Sequence, residues 1–183
     1  MVLTHSNDAL IKRVALAMAE NPRYTFKELA EVSGVSKATL HRLCGTRENL
    51  ESILLNKAEI TIESIINAAE MDHENYIDGL RNLIFTFYDE QEIFRWLFSR
   101  PCSGAEKYYN PYFTALESFF LRGQKQGVFR IELSVEFLAT IFTSSIVALI
   151  DAERTGRVAK MGTKEAFVDF FLSGIKQNLI NPL

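Results

Sequence analysis

The stretch Thr25–Leu50, TFKELAEVSGVSKATLHRLCGTRENL, constrains the chain more than any other feature. Thr25 and Glu28 stand three apart, the spacing at which each side chain satisfies a free backbone N–H at a helix start. Phe26, Leu29, Ala30 and Val32 supply the apolar contacts of one short helix. Gly34 takes the left-handed backbone that ends such a helix, without a Cβ penalty. Ser36 is placed to cap a second helix, in which Leu40 and Leu43 face inward. Ala30, Gly34, Val35 and Leu40 therefore have the spacing of a helix-turn-helix: a small residue for close approach, a glycine turn, and two apolar residues that lock the crossing. Such a unit presents its second helix to the DNA major groove.

The candidate DNA-contacting residues follow from that geometry. Lys37, Ala38, Thr39, His41 and Arg42 are expected to face the groove, with Ser36 at the start of their helix and Thr25 at the start of the preceding one. Arginine makes two parallel hydrogen bonds to a guanine edge, and a threonine methyl meets a thymine methyl. Lysine brings charge to phosphates. Arg47 stands at the N-terminus of the next helix, where backbone N–H groups also favour a phosphate. Lys12 and Arg13, in a preceding helix marked by Ile11, Val14, Ala15 and Met18, are read equally as phosphate contacts or as solvated charges.

Past the turn, GVSKATLHRLCGTRENL resembles the signature of the TetR family of transcriptional regulators. Gly34, Val35, Ser36, Thr39, Leu40, Glu48 and Leu50 match; Arg47 stands for the usual lysine and Ala38 for the usual small residue. Three positions depart. His41 replaces a tyrosine that commonly contacts a DNA phosphate in that family, Leu43 a histidine or aromatic residue, and Cys44 a phenylalanine. The resemblance implies an all-α homodimer with an N-terminal DNA-reading head over residues 1–50. Residues 51–183 would form a helical body that dimerises and holds a small-molecule effector. It also implies repression rather than activation.

The rest of the chain reads as further helices. Asn21-Pro22 ends the first, because a residue before proline is pushed out of the helical region. A helix from Arg47 to Met71, capped by Thr46, would be roughly 37 Å long and link head to body. Ile77, Leu80, Ile84, Phe87 and Tyr88 mark another. Gln91–Arg100 is apolar nearly all round and so expected to be buried on several sides. Pro111 falls in the first turns of a helix over Glu106–Gln126, which it either starts or kinks. Ser134 and Thr163 are placed to cap the last two helices. Fourteen phenylalanines and six tyrosines, nearly all beyond residue 70, load the C-terminal body. They suit either a packed core or an apolar pocket. Tyr88, Trp96, Tyr109, Tyr112 and Phe113 are the candidate ligand-binding residues. Phe137, Ile141, Ala148, Val168, Phe171, Leu172 and Ile175 are assigned to a four-helix dimer interface.

Charge and chemistry narrow the class. The formal charge is −3, with eight basic against six acidic residues over 1–57 and twelve against seventeen beyond, a weak asymmetry that fits a DNA-reading head. Two cysteines, Cys44 and Cys102, give neither a disulfide framework nor a metal spacing, which suits a reduced cytoplasmic setting. No secretory signal is expected, and the apolar run 137–150 reads as too short and too polar to span a bilayer. His5, His41 and His73 lie apart, no phosphate loop appears, and no cofactor or metal is expected. The readings that remain beside a ligand-responsive regulator are a helical small-molecule-binding protein without DNA affinity and a helical enzyme.

Overall fold

The computed structural model describes residues 5–71, 75–99 and 106–177. Among them the chain forms nine helices and one isolated antiparallel bridge, Phe129 to Lys176. They fall into two compact units, one within Met1–Ile62 and Glu90–Glu106, the other within Glu63–Asp89 and Lys107–Leu183.

The first unit begins with α1 (His5–Glu20), whose Ile11, Val14, Ala15 and Met18 are buried as their spacing predicts. The helix stops one residue before Asn21-Pro22. Next come α2 (Phe26–Val32), α3 (Lys37–Cys44) and α4 (Arg47–Glu70), the last a 24-residue helix that continues into the second unit. Thr46 accepts from the Asn49 N–H at 3.2 Å and so starts α4 as expected. Within the same unit α6 (Gln91–Phe98) packs along α1, burying Ile93, Phe94, Trp96 and Leu97. That packing carries the unit beyond the residue-50 boundary drawn from sequence. Val32 departs from expectation. It lies in the last turn of α2, turned outward and 53% exposed.

The second unit is built on α5 (Tyr76–Asp89), α7 (Glu106–Lys125), α8 (Val135–Arg154) and α9 (Thr163–Ile175). Its core is a set of edge-on and tilted rings. Phe120 lies 5.7 Å from Phe129, 5.9 Å from Phe142 and 6.2 Å from Phe171, within the range of favourable aromatic pairs. Pro111 lies inside α7. Ser134 caps α8 by accepting from the Phe137 N–H. Thr163 does not cap α9. Gly162, at φ 84°, holds that position without a side-chain bond, and the Thr163 hydroxyl donates to the Ala159 carbonyl instead. α8 extends beyond the apolar run read from sequence. At 20 residues and a mean hydropathy of 1.7 over its most apolar window, it is long and apolar enough to cross a membrane by length and composition alone. Its Leu138, Ala139, Phe142, Ile146 and Ile150 are buried inside the chain.

Candidate nucleic-acid interface

The helix-turn-helix assembles by local hydrogen bonding. The Thr25 N–H donates to Glu28 Oε2 at 2.7 Å and the Glu28 N–H to Thr25 Oγ1 at 3.3 Å, completing the reciprocal cap of α2. These bonds hold the Glu28 carboxyl below its ordinary pKa, chiefly through the Thr25 backbone donor. The end of α2 is closed by Ser33 N–H to Leu29 O at 3.0 Å and Val35 N–H to Ala30 O at 2.9 Å. Between them Gly34 sits at φ 69°, a backbone that any Cβ would strain. Ser36 Oγ then accepts from the Thr39 N–H at 3.0 Å and starts α3.

Burial sets which face of α3 is free. Leu40 is fully buried and Cys44 nearly so, as are Leu29 and Ala30 of α2, which packs on α3. Lys37, Ala38, His41 and Arg42 are exposed. Thr39 is half-buried, its hydroxyl 2.9 Å from Ser36 Oγ. Phe26 meets the His41 ring edge-on at 6.2 Å, which orients that imidazole on the outer face. Leu43 is only half-buried, although its spacing predicts an inward position.

Three cations read as phosphate contacts have intrachain partners. Arg47 donates to the Tyr24 carbonyl at 2.6 Å and the Pro22 carbonyl at 2.5 Å, and faces Glu51 at 3.5 Å. Its guanidinium thus ties the α1–α2 loop to α4. Arg13 donates to the Ser33 carbonyl at 2.9 Å, linking α1 to the turn ahead of α3. Lys12 lies 3.1 Å from Glu90. An arginine with five donors at the edge of a loop has carbonyls as well as phosphates to choose from, and sequence alone does not order them.

The candidate ligand residues are divided between the units. Trp96 is buried in the first. In the second, Tyr112 is 1% exposed, with its hydroxyl 2.7 Å from Thr143 Oγ1, which in turn donates to the Ala139 carbonyl at 2.8 Å. Burial pushes the Tyr112 phenol far above its ordinary pKa. Tyr88 is also buried, beside the buried Glu153 carboxylate; burial and then that charge push its phenol up as well. Phe113 packs on Tyr112 at 5.0 Å and, like Tyr109, is half-buried.

The candidate interface residues also divide. Phe137 and Ile141 are 51% and 42% exposed and Ala148 is exposed, whereas Val168, Phe171 and Ile175 are buried in their own chain and Leu172 is half-buried. A cavity of about 580 Å³ opens beside α8 and α9, lined by Ala148, Leu149, Val158, Met161, Ala166 and Phe170 among others. Met161 and Phe170, 95% and 74% exposed, were not singled out by sequence pattern. The signal was present: two successive phenylalanines on a helix sit about 100° apart, so Phe170 and Phe171 cannot share a face. Cys102 and His73 lie outside the described residues, and the Cys44 thiol is buried.

No protein-family model matches the chain. A relative from Pseudomonas aeruginosa, the HTH-type transcriptional regulator NfxB, is 38% identical over 181 residues, covering 95% of this chain and 96% of its own. Among solved structures, the MbdR regulator from Azoarcus sp. CIB superposes with a TM-score of 0.69 at 19% identity, over 92% of this chain and 98% of its own. The TetR family transcriptional regulator PfmR from Thermus thermophilus gives 0.58 at 18% identity, over 93% and 97%.

Proposed function

The chain belongs to the TetR family of helix-turn-helix transcriptional regulators, and on that premise we propose that it represses by binding operator DNA as a homodimer. The observation that carries this reading is the outer face of α3, where Lys37, Ala38, His41 and Arg42 stand exposed on a helix capped by Ser36 and backed by α2. Residues 1–50 supply the reading surface, within the first unit, and the second unit supplies the body. Thr25 and Ser36, whose side chains are spent on caps, serve the interface by presenting backbone. Arg47 serves it by fixing the loop above. The helical-enzyme alternative falls with the family assignment.

An apolar or aromatic effector acting on the second unit is the input of this reading. Tyr109 and Phe113, half-buried beside the aromatic core, are its first candidate contacts; Tyr88 and Tyr112 lie deeper. The α8–α9 face carries the second copy. In this reading α8 is a core and interface helix rather than a membrane span.

The test begins with DNA selected from a random library by the intact protein. Arg42→Ala should relax base preference and cost about 1–3 kcal/mol if the arginine pairs with guanine, whereas Lys37→Ala should weaken all sequences alike and flatten the salt dependence. If selection returns no enriched sequence, the alternative of a small-molecule-binding protein without DNA affinity is the correct one.

A further inference from the structure

Two adjacent acidic residues stand where the chain passes from the second unit back to the first. Asp89 ends α5 and a segment of the second unit; Glu90 opens the next segment of the first. Each carboxylate is held within its own unit. Asp89 Oδ1 lies 3.6 Å from Lys164 Nζ, in the first turn of α9. The same ammonium stands 5.5 Å from the Phe85 ring centroid and 5.4 Å from that of Tyr88. Residues 85, 88 and 89 share one helix face by their i, i+3, i+4 spacing. A single lysine of α9 therefore meets the last turn of α5 chiefly by cation–π attraction, since the Asp89 carboxylate of the ion pair is 73% exposed and solvent screens it.

Glu90 is gripped from the other side. Its carboxylate takes Lys12 of α1 at 3.1 Å and Lys57 of α4 at 3.5 Å, with the Thr61 hydroxyl at 3.4 Å. Asp8 closes the network, 2.8 Å from Lys57 and 3.9 Å from Lys12. The four charged side chains are between 13% and 31% exposed, so solvent and salt screen them less than an open surface pair. Glu90 also holds the N-cap position of α6, yet its side chain makes no cap bond there. A carboxylate that would ordinarily favour that helix end is instead turned onto α1 and α4. From α1 the connection continues, because Arg13 holds the Ser33 carbonyl at the turn that precedes α3.

We propose that Asp89-Glu90 is a two-sided joint that passes the position of α9 to α1 and α4, with Lys164 and Glu90 as its positioning residues. Only its consequence, that α3 then changes its presentation to DNA, rests on the proposed function. A shift at the start of α9 moves Lys164 and with it the end of α5. One residue on, the Glu90 carboxylate changes its distance to Lys12 and Lys57, and α1 follows. Thr163, the neighbour of Lys164, lines the α8–α9 cavity, so whatever fills that cavity acts directly on the first turn of α9.

The test is hydrogen–deuterium exchange by mass spectrometry on the full chain, without DNA or effector, for the native protein, Lys164→Ala, Glu90→Gln and the double variant. Glu90→Gln should speed exchange in α1 at least five-fold. Lys164→Ala should speed it at least two-fold while leaving α7 unchanged, which a general loosening of the second unit would not do. The double variant should be no faster in α1 than Glu90→Gln alone. Unchanged α1 exchange in Lys164→Ala, or full addition of the two effects, would overturn the joint. Should Glu90→Gln fail to fold, Lys12→Gln replaces it with the same expected order. Because no DNA enters the experiment, failure of the regulator reading and failure of the joint are separately visible.

Discussion

At the residue scale, what a side chain bonds decides whether its type can be read as function. Arg47 stands where the family usually has lysine and reads as a phosphate contact, but its two loop carbonyls at 2.6 and 2.5 Å give it a structural duty. Hydrogen bonds from a charged donor contribute about 1.5–3 kcal/mol. Arg47→Ala should therefore lower stability to denaturant by roughly that amount while leaving the salt slope of DNA binding unchanged. A flattened slope at native stability would return Arg47 to the phosphates. Gly123 makes a second case. A Cβ there would enter the ring of Phe129, which is fully buried among Tyr76, Phe119 and Phe120 and cannot swing away. Gly123→Ala should cost about 1–3 kcal/mol by overpacking, read as a lower unfolding midpoint in urea. Neither duty was legible in sequence, since both depend on a partner distant from the motif or on which ring fills which gap. The capping roles of Thr25 and Ser36 were legible because their partners lie three residues away.

At the element scale the helix starts carry a shared pH dependence. Glu28, Glu48 and Glu136 each stand in the first turn of a helix, and each carboxyl is held below its ordinary 4.5, principally by backbone N–H donors. The sign follows from the direction of the shifts. A carboxyl whose folded pKa is depressed contributes stability that is fully present above the unfolded value and is lost as pH falls through the folded value. The first turns of α2, α4 and α8 should thus hold down to about pH 4.5 and loosen together below it, seen as faster exchange of the Thr25–Leu29 amides relative to those of α1. Glu28→Gln, which removes the titrating carboxyl, should remove the acid step in α2 alone; persistence of that step would mean the cap is not its source. Helix identity was largely legible at this scale, because caps and apolar periodicity are local. Thr163 was misread: its hydroxyl has a nearer acceptor in Ala159, and glycine at φ 84° turns the chain without it.

At the scale of the whole molecule, the proposed assembly rests on α8 and α9. The sequence shows both helices apolar on more than one side, which implies two buried surfaces without saying which residues serve which. Burial makes the division. Phe171 is 4% exposed, held by Phe120, Phe142 and Phe167, and belongs to the core of its own chain. Phe137 and Ile141 on α8, and Phe170 on α9, remain open at 51%, 42% and 74%. Large exposed apolar side chains of this kind mark an association surface, and obligate interfaces resemble a core cut in half. If this face joins two copies, Ile141→Glu with Phe170→Glu should leave the helical circular dichroism intact and give a monomer in sedimentation equilibrium at micromolar concentration. Phe171→Glu should instead lose helical signal, because it places a charge inside the aromatic core. DNA binding then supplies an independent readout. Two heads must dock on half-sites about 34 Å apart, and the second docking gains from the first through effective concentration. Breaking the dimer should therefore weaken operator binding by about 10²–10⁴-fold with the recognition helix untouched. A double glutamate variant that still sediments as a dimer would move the interface off this face, and one that is monomeric yet binds operator as tightly as the native protein would show that a single head suffices.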